Sequence, residues 1–485
     1  MQKVRISSPY GRIYEINFVY TGVSKNAIGD EKMMKKFEYK GIWWLPDKPE
    51  EQIPGTLRFT PDEGAVLDLI GSFKDIKDMN KILEPEIILG VSSNGKNITL
   101  HKCFETKSSF SFPGFQTSSF YANLVFIGAH FQKLENIKFK SLFVHYLHLD
   151  EWVNISGFDI KHLREKEVVI KYKLPEPFQI DISDGLKILI NIRATGPSLS
   201  FVQKEATIKQ KTEIKIETSE DKSFEYYRKI MYHIQNFLSL GIMEPVYPLT
   251  IEGITEVNKE MINDKLYNPP VEIYYKLPDI PKAPKTLHPF DMLFTFKDIS
   301  DRFEVFLKNW FEKADLLEPV YNLYFGTLYN PRMYLEHRFL NLIQAIESFH
   351  QRIHRGEYLS VEEYKPVYKA LVNAIPDWVR SDLKNRLKEY LKYGREFSLR
   401  KRLKEIFDKY QQVIDRFIEN KNTFIRKVVD TRNYQIHHDE DIKERAAGGE
   451  ELYRLTQKLK MLLEVCLLTE LGFSSEKIIT LFFKK

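Results

Sequence analysis

The sequence predicts an α+β protein, in which an antiparallel β-rich N-terminal region, sandwich or barrel-like, precedes an all-α helical bundle. Short alternating apolar runs bounded by turn residues fill roughly the first two hundred positions. From Asp298 onward, apolar residues recur instead at helical intervals of about 3.6 residues. The length of 485 residues also exceeds what one compact core accommodates. We therefore expect three parts, comprising residues 1–220, 221–297 and 298–485.

The β-rich region is predicted from alternation and turn chemistry. Residues 56–60 and 65–70 read as strands on either side of a turn-forming Pro-Asp-Glu-Gly sequence. The dipeptide Asn94-Gly95 separates two further apolar runs and predicts a hairpin, because Asn-Gly accepts positive φ. Further strands are predicted at 122–128, 141–149, 168–172, 187–193 and 204–217.

The later part of the chain is predicted to be helical. Residues 223–240 carry apolar side chains at helical spacing, and this helix is expected to stop at Gly241. The proline-rich stretch 242–297 is interpreted as an irregular connection that carries a short strand or two, notably at 271–275. Beyond it, helical periodicity predicts segments near 299–312, 333–354, 361–373, 378–393, 400–420, 422–430 and 448–471.

The composition argues against a membrane-spanning helix and against a disulfide scaffold. No stretch approaches the ~20 apolar residues that cross a bilayer, and the first five residues lack the apolar run of a signal peptide. Cys103 and Cys466 lie far apart in sequence and have no metal-type spacing. We expect a cytoplasmic protein with no structural disulfide and no membrane contact.

The net charge of +5 is unevenly distributed along the chain. Residues 381–427 carry 14 Lys and Arg against 7 Asp and Glu, whereas residues 1–300 are balanced at 39 against 39. A basic surface suits an RNA partner, whose phosphates supply most of the non-specific affinity. A solvated helix face explains the same charges and stays an alternative.

Residues 431–439 read T-R-N-Y-Q-I-H-H-D and carry the best indication of chemistry. Arg432 is always charged and can fork onto two phosphate oxygens, while His437 can exchange a proton near neutral pH. His438 is a weaker alternative to His437, and Asn433 is predicted to hold a neighbouring group in place. A base and a phosphate-binding cation are what metal-free RNA cleavage requires.

The spacing within this motif limits how the two main residues can meet. On a straight helix Arg432 and His437 lie about 140° apart around the axis. Either a helix end or bend falls inside the motif, or a second subunit completes the site. Asp430 and Thr431 are good N-cap residues, so a helix is predicted to begin there. In the alternative interpretation Arg432 forms a surface ion pair and both histidines are solvated.

Two other patterns are judged not to carry chemistry. Residues 90–97 match G-x-x-x-x-G-K, but Asn97 replaces the Ser or Thr of a phosphate-binding loop and a strand is predicted to follow. His437, His438 and Asp439 make a poor metal site, because adjacent side chains diverge. No metal and no cofactor are therefore expected.

The motif at 432–437 resembles the R-N-x-x-x-H signature of the HEPN ribonucleases. Residues 338–350 resemble an early helix of the same family. Near the N-terminus, 55–59 and 64–73 resemble the leading domain of the anti-phage ApeA proteins, and the sequence around 128–131 and Trp152 is similar to the same module. The likeness spans roughly residues 40–200 and 300–480.

This resemblance implies a nuclease centre of Arg432 and His437, with Asn433 supporting, and with Glu347 and His438 as further supporting candidates. It implies an HEPN homodimer or higher homo-oligomer that brings two motifs to one cleft and cleaves RNA by 2′-hydroxyl transesterification. Abortive infection is the implied role, with a phage-derived trigger sensed by the β-rich region. A tRNA loop and an mRNA remain open as substrates. The alternative is a non-catalytic HEPN protein that binds nucleotide or RNA, with a β-region that recognises a partner or glycan.

Overall fold

The computed structural model describes residues 2–7, 13–18, 34–74, 81–109, 113–164, 167–183, 185–200, 205–262, 265–277 and 285–483. The chain divides into two compact units, Met1–Glu304 and Val305–Lys485. The three-part division made from sequence stays a prediction. Within the described residues, no helix has the length and apolar character needed to cross a membrane.

The first unit is built mainly from β-strands, and the pairs that they form are antiparallel. Their lengths range from three residues to 19. In chain order, the strands are β1 (Gln2–Ser7), β2 (Ile13–Phe18), β3 (Phe37–Trp44), β4 (Ile53–Thr60), β5 (Gly64–Leu69), β6 (Ile87–Ser92), β7 (Asn97–Ser109), β8 (Thr117–Ile127), β9 (Lys138–Tyr146), β10 (Phe158–Arg164), β11 (Glu167–Tyr172), β12 (Phe178–Ser183), β13 (Leu186–Ser200), β14 (Glu205–Ser223), β15 (Pro248–Ile254), β16 (Glu260–Ile262), β17 (Lys265–Tyr267) and β18 (Val271–Tyr274).

Six of these strands close into a barrel in the order β8, β5, β4, β3, β6, β7 and back to β8. The register aligns Leu57 with Leu67 and Leu67 with Phe120, and all three side chains are fully buried. Alternation places these residues on the inner face of the sheet. The β-rich fold predicted from sequence is confirmed, and its form is the barrel rather than the sandwich.

The predicted hairpin is confirmed between β6 and β7, where Val91 pairs with Asn97 and Gly95 adopts a φ of +80°. The Gly-Lys pattern at 90–97 is therefore a strand turn and precedes no helix. Gly90 lies against the indole of Trp43, where a Cβ atom would come within 2.2 Å of the ring. Trp43 is fully buried, which makes it a core residue of the barrel.

Beyond the barrel, the same 12-stranded sheet continues from β8 in the order β18, β15, β9, β14, β13, β12. The strand predicted at 141–149 is wrong at its end, because β9 stops at Tyr146 and His148 takes a φ of +63° before a short helix. The strand predicted at 204–217 lies in β14, except that Lys204 is outside the described residues. The predicted connection 242–297 contains β15 to β18, and its residues 263–264 and 278–284 also lie outside the described part.

Helices pack on strands β9 and β14 in the first unit and form most of the second unit. They are α1 (Leu149–Val153), α2 (Phe224–Ile242), α3 (Phe296–Ile299), α4 (Phe303–Glu312), α5 (Ala314–Tyr329), α6 (Leu335–His354), α7 (Val361–Asn373), α8 (Ser381–Lys392), α9 (Leu399–Lys409), α10 (Gln411–Ile414), α11 (Lys421–His437), α12 (Gly449–Leu471) and α13 (Ser475–Phe482). The predicted all-α character of the C-terminal part is confirmed.

Two helix predictions need correction. Gly241 does not end α2, which continues to Ile242 and closes with Met243 in the left-handed region at φ +66°. Gly241 instead allows close packing, since a Cβ atom there would come within 2.8 Å of Trp152. The sequence also missed α5, which contains Pro319 and exposes the apolar side chain of Leu316, so its apolar periodicity is weak.

The core of the helical unit lies where α6 packs on α5 and α12. Leu342 and Ile346 of α6 are buried, as are Leu459 and Leu463 of α12. Glu464 of α12 is also buried, and its carboxylate has a hydrogen-bond partner, because Tyr324 donates to it at 2.5 Å. This packing fixes the position of α6, the helix that carries Glu347.

Candidate active site

The helix α11 carries the R-N-x-x-x-H motif without interruption. It begins after Asn420, whose side-chain oxygen accepts a 2.9 Å hydrogen bond from the Thr423 N–H. It ends at His437, and His438 follows in the left-handed region with φ +50°. The helix predicted to begin at Asp430 or Thr431 is therefore wrong, because both residues lie inside α11.

Thr431 is a packing residue and not a helix cap. Its side chain is fully buried, and its hydroxyl accepts a 2.9 Å hydrogen bond from the Ala447 N–H. This bond ties α11 to the segment that leads into α12. Asp439 has the capping role that Thr431 lacks, since its carboxylate accepts a hydrogen bond from the Asp441 N–H at the start of a 3-10 helix.

The two main candidate residues lie on different faces of α11. Phe424, Ile425 and Val428 define its buried face. Arg432 is half-buried, and His437 is exposed at the last helical position. Because the helix is regular through both residues, the angle between them is about 140°. The helix end falls after His437, so one copy of α11 directs the guanidinium and the imidazole to different sides.

Arg432 is held in place by polar neighbours. Its Nη1 donates a 3.3 Å hydrogen bond to the side-chain oxygen of Asn433. Glu347 of α6 is half-buried, and burial raises its pKa while the positive charges of Arg432 and Arg402 oppose that rise. The structure therefore brings Arg432, Asn433 and Glu347 together.

The two histidines follow that group at the C-terminal end of α11. The ring of His438 packs edge-on against Tyr434 at a centroid distance of 5.8 Å. Its backbone N–H donates a 2.7 Å hydrogen bond to the Tyr434 carbonyl, which closes the last turn of α11. His438 therefore serves as the C-cap of the helix, whereas His437 is presented to the solvent one position earlier.

Behind Glu347 lies a buried polar cluster that the sequence did not reveal. Arg402 is only 4 % exposed and donates through Nε to the Phe397 carbonyl at 3.0 Å. Its Nη1 lies 3.4 Å from Nδ1 of His350, whose Nε2 lies 3.0 Å from a carboxylate oxygen of Glu405. Since Arg402 donates to Nδ1, the imidazole donates to Glu405 and is neutral.

Burial is the main influence on the ionisation of His350. It lowers the pKa of His350 to about 4, and the hydrogen bond to Glu405 opposes the shift. Glu347 and His350 are three residues apart on α6, so they share a face of that helix. That spacing was the one sequence signal available, and nothing in the sequence indicated that Arg402 would meet them.

Gly356 is required by the same cluster. It adopts a φ of +69°, and a Cβ atom there would lie 2.3 Å from Nη1 of Arg402. Only glycine satisfies both conditions. Among the residues that the structure describes, no group of three or more His, Cys, Asp or Glu side chains is arranged to hold a metal ion.

Two family models match the chain in regions that follow its structural division. The model described as Apea-like HEPN matches residues 340–477. The second unit, with its R-N-x-x-x-H helix, is therefore an HEPN domain. The HEPN domain is generally a ribonuclease fold. The model of ApeA N-terminal domain 1 matches residues 38–310.

Because that second match covers more than half of the 485 residues, the chain belongs to the ApeA family. Its domain pair places it with the anti-phage HEPN-type nucleases, and the resemblance inferred from sequence is confirmed. No curated protein and no solved structure matches the chain.

Proposed function

We propose that this protein is a metal-independent endoribonuclease whose active site is completed by two copies of the HEPN domain. The observation that carries the proposal is the unbroken course of α11 through Arg432 and His437. A regular helix cannot turn both side chains to one phosphate, whereas a two-fold pair of helices can offer the arginine of one copy and the histidine of the other.

The surface around Arg432 supports association through this face. Ile436 lies one helical turn beyond Arg432 and is 46 % exposed. An exposed apolar residue beside a half-buried cation suits a protein interface better than free solvent. In a two-fold dimer the same patch meets its own copy, so each α11 would cover the other.

The chemistry assigned to each side chain follows from its type. The imidazole of His437 takes the proton of the ribose 2′-hydroxyl, and the resulting oxygen attacks the adjacent phosphorus. The guanidinium of Arg432 stabilises the negative charge that builds on the phosphate oxygens. The bond to the 5′-oxygen breaks, that oxygen takes a proton, and the products are a 2′,3′-cyclic phosphate and a 5′-hydroxyl.

Asn433 and Glu347 have positioning roles in this proposal. Asn433 accepts the hydrogen bond from Arg432, and Glu347 supplies the opposite charge behind it. A cation that is oriented before substrate arrives loses less freedom on binding the transition state. The 2′-hydroxyl is the nucleophile, so DNA of the same sequence is expected to stay uncut.

In the cell, we infer that this activity acts in anti-phage defence by abortive infection. The β-rich unit is assigned the sensing role, and a phage-derived component is the expected trigger. Cells that express the wild type are expected to resist phage, and cells with His437→Ala are expected to lose resistance at equal protein level. The RNA ends gained in infected wild-type cells identify whether tRNA or mRNA is cut.

Subunit mixing tests the composite site. Purified Arg432→Ala and His437→Ala proteins are each expected to be inactive, with losses on the order of 10²–10⁴ in rate. After the two are mixed and allowed to exchange subunits, about a quarter of wild-type activity is expected, because half of the dimers then hold one intact site. No cleavage activity after confirmed subunit exchange would show that the site is not shared between subunits.

A different pair of results would end the nuclease proposal altogether. Full RNA cleavage by both single variants would remove Arg432 and His437 from the chemistry. RNA binding without cleavage by the wild type, under phage-triggered conditions, would favour the non-catalytic alternative.

A further inference from the structure

A cavity of about 280 Å³ lies between α9 and α11 in the helical unit. The two helices close around it because Phe407 packs against Phe424 with a ring-centroid distance of 5.7 Å. An ion pair between Asp408 and Lys421 joins the same two helices. The cavity is lined by Arg400, Lys404, Asn422, Thr423, Ile425 and Arg426.

Three exposed cations converge on this cavity. Within the described residues, no ion pair or hydrogen bond involves the side chains of Arg400, Lys404 or Arg426. Nearby cations on the same two helices are paired, as Lys401 is with Glu405 at 3.3 Å. Like charges four residues apart on one helix, such as Arg400 and Lys404, repel each other. An anion in the cavity would relieve that repulsion.

The remaining lining groups also suit a phosphate. Asn422 and Thr423 present an amide and a hydroxyl, both of which donate hydrogen bonds to phosphate oxygens. Guanidinium groups match phosphate geometry with two parallel hydrogen bonds. The cavity volume of about 280 Å³ leaves room for one phosphate group.

The cavity is aligned with the motif along α11. Asn433 and His437 follow Arg426 by seven and eleven residues, which places each of them within about 20° of Arg426 around the helix axis. This face is opposite the buried Val428 and Thr431. The rise from Arg426 to His437 is about 16 Å, a length that an RNA strand covers in a few nucleotides.

We propose that the cavity between α9 and α11 holds a backbone phosphate of the RNA strand, a few nucleotides away from the bond that is cut. This inference rests on the proposed nuclease function and adds a second contact to it. The contact would bind any sequence, because it reads only the phosphate. It would favour long RNA over very short fragments that cannot reach from His437 to Arg426.

The test compares RNA binding by two full-length proteins in a His437→Ala background, so that no RNA is cut. One carries Arg400→Ala, Lys404→Ala and Arg426→Ala. The other carries the charge-matched control changes Arg332→Ala, Lys365→Ala and Lys369→Ala, at exposed positions of the same unit. Fluorescence anisotropy with a single-stranded RNA of about twenty nucleotides gives Kd at several salt concentrations.

The cavity variant is expected to bind about tenfold more weakly, and its plot of log Kd against log salt is expected to be shallower by about 0.7, the value for one lost phosphate contact. The control variant is expected to match the parent in both respects. When His437 is retained, the cavity substitutions are expected to lower kcat/KM for long RNA. This loss is expected to become smaller as the RNA is shortened toward a dinucleotide, which cannot reach the cavity. Equal affinity and equal salt slope in cavity and control variants would overturn the assignment.

Competition with inorganic phosphate tests whether the cavity binds an RNA backbone phosphate or free phosphate. Phosphate is expected to displace RNA from the parent more strongly than chloride at equal ionic strength, and this excess is expected to vanish in the cavity variant. If the excess vanishes while RNA affinity and salt slope stay unchanged, the cavity takes free phosphate and the RNA assignment is wrong. Full cleavage by both the His437→Ala and the Arg432→Ala variants would instead contradict the nuclease proposal, a result independent of the cavity comparison.

Discussion

Glu347 on α6 and Arg432 on α11 lie within electrostatic reach of each other, and the positive charge of Arg432 opposes the rise in the carboxyl pKa that burial causes. A half-buried cation with an acidic neighbour behind it keeps a defined direction. The same guanidinium donates to Asn433, so two neighbours limit its movement. In the proposed nuclease, Arg432 is therefore oriented before RNA binds.

Glu347→Gln is expected to reduce cleavage while leaving the fold intact. Glutamine keeps the shape of the side chain but removes the negative charge that attracts Arg432, so the guanidinium is expected to shift. A small misplacement of a catalytic group can cost up to about 10²-fold in rate. The loss is expected mainly in kcat, because a positioning residue does not bind substrate itself. Single-turnover kinetics on a defined RNA measure it.

Glu444→Gln is the matched control for that experiment, since Glu444 is exposed on the surface of the same unit. It is expected to match the wild type. If Glu347→Gln were equally active, the charge of Glu347 would have no part in orienting Arg432.

The sequence predicted those features that depend on local pattern. The strands around Leu57 and Leu67 were recognised because alternation and turn residues lie within one short segment. Closure of the barrel was not determined by any such segment. It requires Gly41 of β3 to pair with Ser92 of β6, a contact between strands whose hydrophobic patterns do not specify a partner.

The site residues named from the sequence stay a prediction, and the start of the helix that carries them was predicted wrongly. Asn420 and Asp430 are both acceptable helix caps, and the choice between them depends on burial of Thr431 against the chain near Ala447. No local pattern carries that information. The cluster behind Glu347 was missed for the same reason, because Arg402 reaches His350 only through the packing of α9 on α6.

Thr431→Val is expected to destabilise the helical unit. Valine has nearly the same shape, but it leaves the buried Ala447 N–H without its acceptor, which typically costs about 1–3 kcal/mol. Thr431→Ser keeps the hydroxyl and is expected to lose less. Thermal unfolding followed by circular dichroism compares the three proteins, and equal melting temperatures for the valine variant and the wild type would contradict the assignment.

Acid is expected to weaken the fold through His350. Its folded pKa of about 4 is below the unfolded value near 6.5, so the unfolded chain binds the proton more readily. The contribution is therefore fully present above pH 6.5 and is lost as the pH falls toward 4, at about 1.4 kcal/mol per unit and roughly 3 kcal/mol in all.

His350→Gln tests this pH dependence, because glutamine keeps hydrogen-bonding groups near Arg402 and Glu405 but does not titrate. The variant is expected to be less stable at pH 7, yet its melting temperature is expected to fall less steeply between pH 6.5 and 4. His354 and Lys409 lie nearby and stay unchanged in both proteins. Parallel curves for the wild type and the variant would show that another group controls acid stability.

The variant His438→Gly distinguishes the roles of the two histidines in the motif. His438 bears the strain of a left-handed conformation at φ +50°, which glycine adopts without cost, so the variant is expected to gain up to about 1 kcal/mol in unfolding free energy. Its cleavage rate is expected to stay near that of the wild type, while His437→Ala loses on the order of 10²–10⁴. Melting curves and initial rates on one RNA substrate measure both effects. If His438→Gly lost more activity than His437→Ala, the proton-transfer role would belong to His438 instead of His437. The base would then act from a residue beyond the end of α11.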